Sequence, residues 1–269
     1  MNELPFAATT PIHVSRVALR ARDADNLARF YERVVGLREL GRNNGAIRLG
    51  AGNTELLRIE SDPSAEPDNS RAAGLFHTAF LLPERADLAR WLRHAAQNRL
   101  PISGASDHLV SEAVYLDDPE GNGIEIYRDR RPDEWTWHGS QVEMATVRLD
   151  SENLFASLSQ DDAGWQGAPD NTIVGHVHLR VGDPRQAESW WQDNLGFDTV
   201  ARYGDAAAFM STGGYHHHVG ANAWQSRGAG PRDPKRAGLS WFELASREAR
   251  ESKSFPDPWG TEVRLAPSA

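Results

Sequence analysis

The sequence predicts an α+β protein assembled from four βαβββ units. The stretch Val14 to Leu40, VSRVALRARDADNLARFYERVVGLREL, is answered by Val174 to Val200, VGHVHLRVGDPRQAESWWQDNLGFDTV. Each opens with strand-like alternation and continues into apolar residues at helical spacing. Weaker copies open near Leu75 and near Tyr215. Self-similarity of this kind outranks any single-segment assignment, because each repeat is one supersecondary unit.

In the first unit Asp23 is placed to cap a helix whose buried stripe is Leu27, Phe30, Tyr31 and Val34. Gly36 suits the left-handed C-cap. A hairpin around Gly50 to Asn53 follows. The second unit reads LFHTAFLLPERADLARWLRHA, strand then helix, and then HLVSEAVYLDDPEGNGIEIYRD, two strands around a Gly-rich turn. Residues 131–170 read as a connection. The third unit repeats the first, with Asp183, a stripe of Ala187, Trp190, Trp191 and Leu195, and Gly196. The fourth is expected to open at YHHHVGANAW and to close with SWFELAS and DPWGTEVRLA. DPEGNG and DPWG resemble phosphate or calcium loops, but they read better as tight turns, with Pro setting φ and Gly taking positive φ. The domain division expected is 9–130 for units one and two, then the connection, then 171–267 for units three and four.

Composition narrows the chemistry. A formal net charge of -9 disfavours a nucleic-acid backbone as partner. The chain has no cysteine, so thiolate catalysis, disulfides and iron–sulfur ligation are excluded, and a metal site must use His, Asp or Glu. The start, MNELPFAATT, lacks the charged and apolar regions of a signal peptide, and no run of 18 apolar residues offers a spanning helix. A soluble cytoplasmic protein without a membrane partner is the expectation.

Taken together, FHTAFLLP, DPEGNGIEIYRD, GHVHLRV and GYHHHVG make the chain resemble the vicinal oxygen chelate superfamily of glyoxalases, bleomycin resistance proteins and extradiol dioxygenases. The two-domain catechol 2,3-dioxygenase type is the nearest in pattern, and the likeness covers roughly residues 9 to 130 and 170 to 267. It implies paired units, each pair a mixed sheet curled into a cup around one divalent metal. Ligands would come from the first strand of each paired unit and from the last strand of one.

The first-strand slot falls on Arg16, His77, His176 and His218, and the last-strand acidic slot on Glu125, with Glu262 out of register in the fourth unit. Two pairings are open. The sequential one gives His176, His218 and Glu262 as ligands. The crossed one joins units two and three and completes a triad of His77, Glu125 and His176, leaving Arg16, His218 and Arg264 in a cup poor for a cation. The crossed site is preferred. Two histidines and one carboxylate suit non-haem Fe(II), with Mn(II) as a substitute, because coordination positions stay open.

The resemblance also implies protein groups that move protons. Extradiol enzymes resemble one another in a Tyr ten residues before the glutamate ligand and a His further upstream. Tyr115 and His108 stand in those places. A further acid–base histidine is expected among His216, His217 and His218, where an imidazole suits either direction of transfer. On a strand, His216 and His218 would share one face and His217 would take the other. His178 shares a face with His176 and either supports the ligands or packs against the connection. The basic loop Arg227 to Gly238 reads as a solvated loop, or as a cover that attracts an anionic ring substituent.

The expected function is therefore extradiol cleavage of a catechol-like, or hydroquinone-like, aromatic by dioxygen. A glyoxalase-like isomerase or lyase would want a fourth protein ligand, and none is found in register. A metal-free small-molecule-binding resistance protein is the alternative of a different class. Superfamily members commonly dimerise, so the resemblance admits a homo-oligomer.

Overall fold

The computed structural model describes residues 4–268. The first unit runs β1 (Ile12–Ala21), α1 (Ala24–Phe30), β2 (Arg38–Asn43), β3 (Ala46–Ala51) and β4 (Thr54–Ser61). The second runs β5 (Gly74–Leu81), α2 (Arg85–Gln97), β6 (Ile102–Asp107), β7 (Ser111–Asp117) and β8 (Gly123–Asp129). The connection holds three two-residue strands, β9 (Trp137–His138), β10 (Gln141–Val142) and β11 (Val147–Arg148), and the short α3 (Ser151–Phe155). The third unit runs β12 (Ile173–Arg180), α4 (Pro184–Leu195), β13 (Asp198–Tyr203), β14 (Ala207–Ser211) and β15 (Val219–Asn222). The last part is β16 (Gly238–Ser246), β17 (Lys253–Pro256) and β18 (Glu262–Pro267).

Capping follows the sequence. Asp23 accepts from the Asn26 backbone N–H, and Asp183 from that of Arg185. Such a cap contributes about 1 kcal/mol. Gly36 and Gly196 take φ of 82° and 67°, left-handed values that a Cβ would strain.

The strands form two curled mixed sheets of crossed pairing. One has the order β17-β18-β16-β1-β4-β3-β2 and joins the first and last units. The other has the order β11-β6-β7-β8-β5-β12-β15-β14-β13 and joins the second and third. At the centre of each, two first strands run antiparallel, β1 with β16 and β5 with β12. Each of these pairs in parallel with the last strand of its own unit, as β5 does with β8.

The fourth unit departs from expectation. It opens at Gly238 rather than Tyr215, and only the bent, irregular residues 247–252 separate its first two strands, so it has no helix. Val219–Asn222 instead closes the third unit, pairing in parallel with β12 (Val177 opposite Val219). The apolar run of this segment is only a few residues long, too short for the sequence to show which neighbour it joins. Tyr215 to His218 is not strand at all. Face alternation therefore does not govern the three histidines.

The helices lie in a core shared by both sheets. Tyr31 meets Phe80 of β5, and Trp191 of α4 stacks on Phe242 of β16 with ring centroids 5.9 Å apart. Trp91 of α2 is fully buried and donates its indole N–H to the Val34 carbonyl at 2.8 Å, as a buried indole must.

Candidate active site

Ala79, in the middle of β5, lies opposite Glu125 of β8 on one side and opposite His176 of β12 on the other. Residues opposite one another on paired strands project to the same face, and His77 joins them two positions earlier. The methyl of Ala79 is all that stands between these three side chains, so they converge. His77 Nε2 lies 3.0 Å and His176 Nε2 3.1 Å from Glu125 Oε2, and the two imidazole nitrogens are 3.3 Å apart. All three residues are buried.

The donor set fits a divalent cation. Octahedral ligands about 2.1 Å from an ion are themselves about 3.0 Å apart, close to the separations seen. Burial raises the Glu125 carboxyl, but the imidazoles of His176 and His77 overcome this and hold it well below the usual carboxylate range. Burial lowers His176 to about 4, partly opposed by Glu125. An ionised carboxylate beside a neutral imidazole is the state that a cation requires. His176 Nδ1 is buried and has no hydrogen-bond partner among the described residues.

These groups line a cavity of about 330 Å³, bounded also by His108, Tyr115, His178 and His217. The Tyr115 hydroxyl is 2.6 Å from His108 Nε2, and His108 Nδ1 is 2.8 Å from the Ala145 carbonyl. A carbonyl only accepts, so Nδ1 carries the proton and Nε2 accepts from the phenol. Burial and the charge of Glu125 push the Tyr115 phenol well above its ordinary value. His178 of β12 lies opposite His77 of β5 and over Gly220, where a Cβ would come within 2.8 Å of its ring. Burial, with its histidine neighbours, keeps His178 neutral well below its ordinary value.

The three consecutive histidines have three different surroundings. His217 faces the cavity, its ring 4.1 Å from that of His176. His216 stands behind it, with Nδ1 2.8 Å from His217 Nδ1 and Nε2 2.7 Å from Asp129 Oδ1. The carboxylate accepts, so His216 Nε2 is protonated. His216 Nδ1 then accepts from His217 Nδ1–H, which leaves the lone pair of His217 on Nε2. Burial, with the neighbouring histidines, depresses His217 well below its ordinary value.

His218 is elsewhere. Its Nε2 contacts Thr10 Oγ1 at 3.1 Å and the Ala7 carbonyl at 3.2 Å, and its Nδ1 contacts Ser211 Oγ at 3.1 Å. It ties the N-terminal turn to the sheet and does not join the metal cluster. Glu262, the other alternative ligand, lies in the other sheet, bonded to Arg264 and Ser254. With the fourth unit opening at Gly238, Trp241 of β16 stands opposite Ala18 in that second cup. Arg264 sits 3.8 Å above its ring, and Arg16 bridges Glu55 at 3.3 Å and Glu243 at 2.9 Å. Among the described residues, this cup brings together no set of imidazoles and carboxylates like that of the other.

Sequence reasoning missed Asp129, Tyr127 and Tyr215. Tyr127 packs on His176 with ring centroids 4.9 Å apart, and its hydroxyl is 2.8 Å from that of Tyr215. A signal was available, since Tyr127 and Asp129 share strand parity with Glu125 in GIEIYRD. Trp224, Tyr203 and Met144 also line the cavity, from loops or strand ends where no periodicity marks them.

The chain is similar to known proteins in sequence and in fold. The model of the glyoxalase/bleomycin resistance protein/dioxygenase superfamily matches residues 13–126 and 173–255. A catechol-2,3-dioxygenase of Bacillus subtilis (strain 168) is 39% identical over 238 residues, which is 86% of this chain and 82% of that one. Among solved structures, glyoxalase I from Zea mays superposes with a TM-score of 0.57 at 11% identity, covering 97% of this chain and 94% of that one. The cppA protein from Streptococcus pneumoniae TIGR4 gives 0.57 at 12% identity, covering 95% and 99%. At such identities these two likenesses show the fold alone.

Proposed function

Because the chain belongs to the glyoxalase/bleomycin resistance protein/dioxygenase superfamily, we propose that it is an extradiol ring-cleaving dioxygenase acting on a catechol-like aromatic. The convergence of His77, Glu125 and His176 carries this reading. These three would hold the metal, Fe(II) or in its place Mn(II). A redox-active divalent ion bound there supplies Lewis acidity and an electron path between ring and dioxygen.

The chain's own groups handle orientation and protons. His217 Nε2 takes the proton of a ring hydroxyl. The positive charge that His217 gains is stabilised through His216 by Asp129, 2.7 Å from His216 Nε2. Tyr115, held by His108, presents its hydroxyl oxygen to the ring hydroxyl on the opposite side. Tyr127 keeps the His176 ring in place.

The reaction balances without an added reductant. One ring carbon–carbon bond beside a hydroxylated carbon breaks, and both atoms of one dioxygen enter the product. The similarity to the B. subtilis catechol-2,3-dioxygenase supports this chemistry over a glyoxalase-like one. Among the described residues, no fourth carboxylate or imidazole joins the three.

The test is anaerobic loading with Fe(II), addition of catechol, and admission of dioxygen. One dioxygen consumed per ring opened is the expected result. Fe(II)-loaded protein that consumes no dioxygen with any catechol or hydroquinone overturns the proposal.

A further inference from the structure

The cavity has an apolar wall beside the triad. Phe76, Phe209 and Trp224 surround His178, with ring centroids 5.2, 5.6 and 5.4 Å from its own, and Phe76 and Phe209 also reach the rings of His77 and His217, 5.4 and 5.1 Å between centroids. Phe76 and Trp224 are in contact, 5.1 Å between centroids. Trp224 is 48% exposed, an apolar ring left open at the mouth. Among the described residues, no lysine or arginine lines the cavity, and beyond Glu125 the only charged side chain there is the acidic Asp117.

The basic loop that could have covered the mouth is committed elsewhere. Arg227 donates to the Asp205 carbonyl, Arg232 to the Leu239 carbonyl, and Arg236 pairs with Glu66 at 3.0 Å. None of its side chains reaches the cavity wall. A ring carboxylate would therefore be buried without a cation beside it, at a cost of several kcal/mol. A volume of about 330 Å³ is at the small end of ligand sites, which span about 300–1,000 Å³. It suits one ring with a compact substituent.

Building on the ring-cleavage reading, we infer that Phe76, Phe209 and Trp224 form a subsite for a compact, uncharged, apolar ring substituent. The preferred substrates are then neutral alkyl-substituted catechols, and carboxylated catechols are rejected. Trp224 is the residue that covers the substituent.

The experiment compares kcat/KM of the Fe(II)-loaded protein for 4-methylcatechol, catechol and 3,4-dihydroxybenzoate. It is paired with anaerobic binding of the same three compounds by calorimetry. The expected order is 4-methylcatechol, catechol, then 3,4-dihydroxybenzoate, with about 100-fold or more between first and last, since each 1.4 kcal/mol is tenfold. Trp224→Ala should erase the advantage of 4-methylcatechol over catechol. Thr146→Arg, which adds a cation at a residue lining the mouth, should narrow the gap to 3,4-dihydroxybenzoate by about tenfold. Equal or better use of 3,4-dihydroxybenzoate by the wild type overturns the inference. An unchanged methyl preference in Trp224→Ala overturns the role of Trp224. Tight, selective binding of 4-methylcatechol with no cleavage of any compound leaves the subsite standing and overturns the ring-cleavage reading instead.

Discussion

Asp129 does not touch the cavity, yet it fixes which nitrogen of His217 is free. Its Oδ1 receives His216 Nε2–H at 2.7 Å, and the next link, 2.8 Å between the two Nδ1 atoms, leaves the proton of His217 on the side away from the triad. An asparagine can donate as well as accept, and a donating amide reverses every proton in this relay. Asp129→Asn is expected to lower kcat by about 100-fold, the usual contribution of a general base, with metal content unchanged. Steady-state kinetics with metal analysis checks it. An unaltered kcat at full metal occupancy would remove Asp129 and His216 from the mechanism. The convergence of His77, His176 and Glu125 was legible in the sequence because they occupy fixed slots of a repeated unit. Asp129 was not, since it acts through a neighbour distant in sequence, and nothing in YHHHVG tells which imidazole faces which partner.

The element that assembles the site is β5. Its Ala79 lies between Glu125 and His176 in register, and its small side chain lets three larger ones meet. Ala79→Leu should cost about 1–3 kcal/mol of stability by overpacking and should also abolish stoichiometric metal binding. Thermal unfolding and metal analysis of the same sample test both effects. A folded Ala79→Leu protein with full metal would show that the convergence does not depend on that gap. Strands, caps and helices were readable from alternation, from Asp23 and Asp183, and from Gly36 and Gly196. The start of the fourth unit was not, because β15 is four residues long and its pairing with β12 is a long-range event. That error misplaced His218 in a ligand slot, whereas Trp241 stands in that cup.

Across the whole molecule, the two cups differ in what they bring together. The cup built from the second and third units converges buried imidazoles and a carboxylate. The other sets Arg16, paired with Glu55 and Glu243, and Arg264 against the ring of Trp241. Arg16 and Arg264 already marked that cup in the sequence as hostile to a cation, which is why the crossed pairing was preferred there although both pairings stayed open.

The N-terminal turn is tied across the sheets by His218, which burial holds at about 3. In the fold this imidazole stays neutral, while the unfolded chain protonates it below about 6.5. The unfolded state therefore holds more protons, and stability falls as pH drops from about 6.5 towards about 3; above that window His218 contributes no pH dependence. Urea midpoints of metal-free protein should decline over this range, and His218→Gln should decline less steeply. Parallel declines would show that His218 is not among the groups responsible.

The central claim is that the crossed cup alone holds one catalytic metal. Metal content per chain, measured anaerobically after Fe(II) loading in wild type, Glu125→Ala and Glu262→Ala, tests it most directly. The account predicts one iron in wild type and in Glu262→Ala, and none in Glu125→Ala. Retention in Glu125→Ala with loss in Glu262→Ala would contradict it, because the metal would then lie in the cup that Arg16 and Trp241 fill.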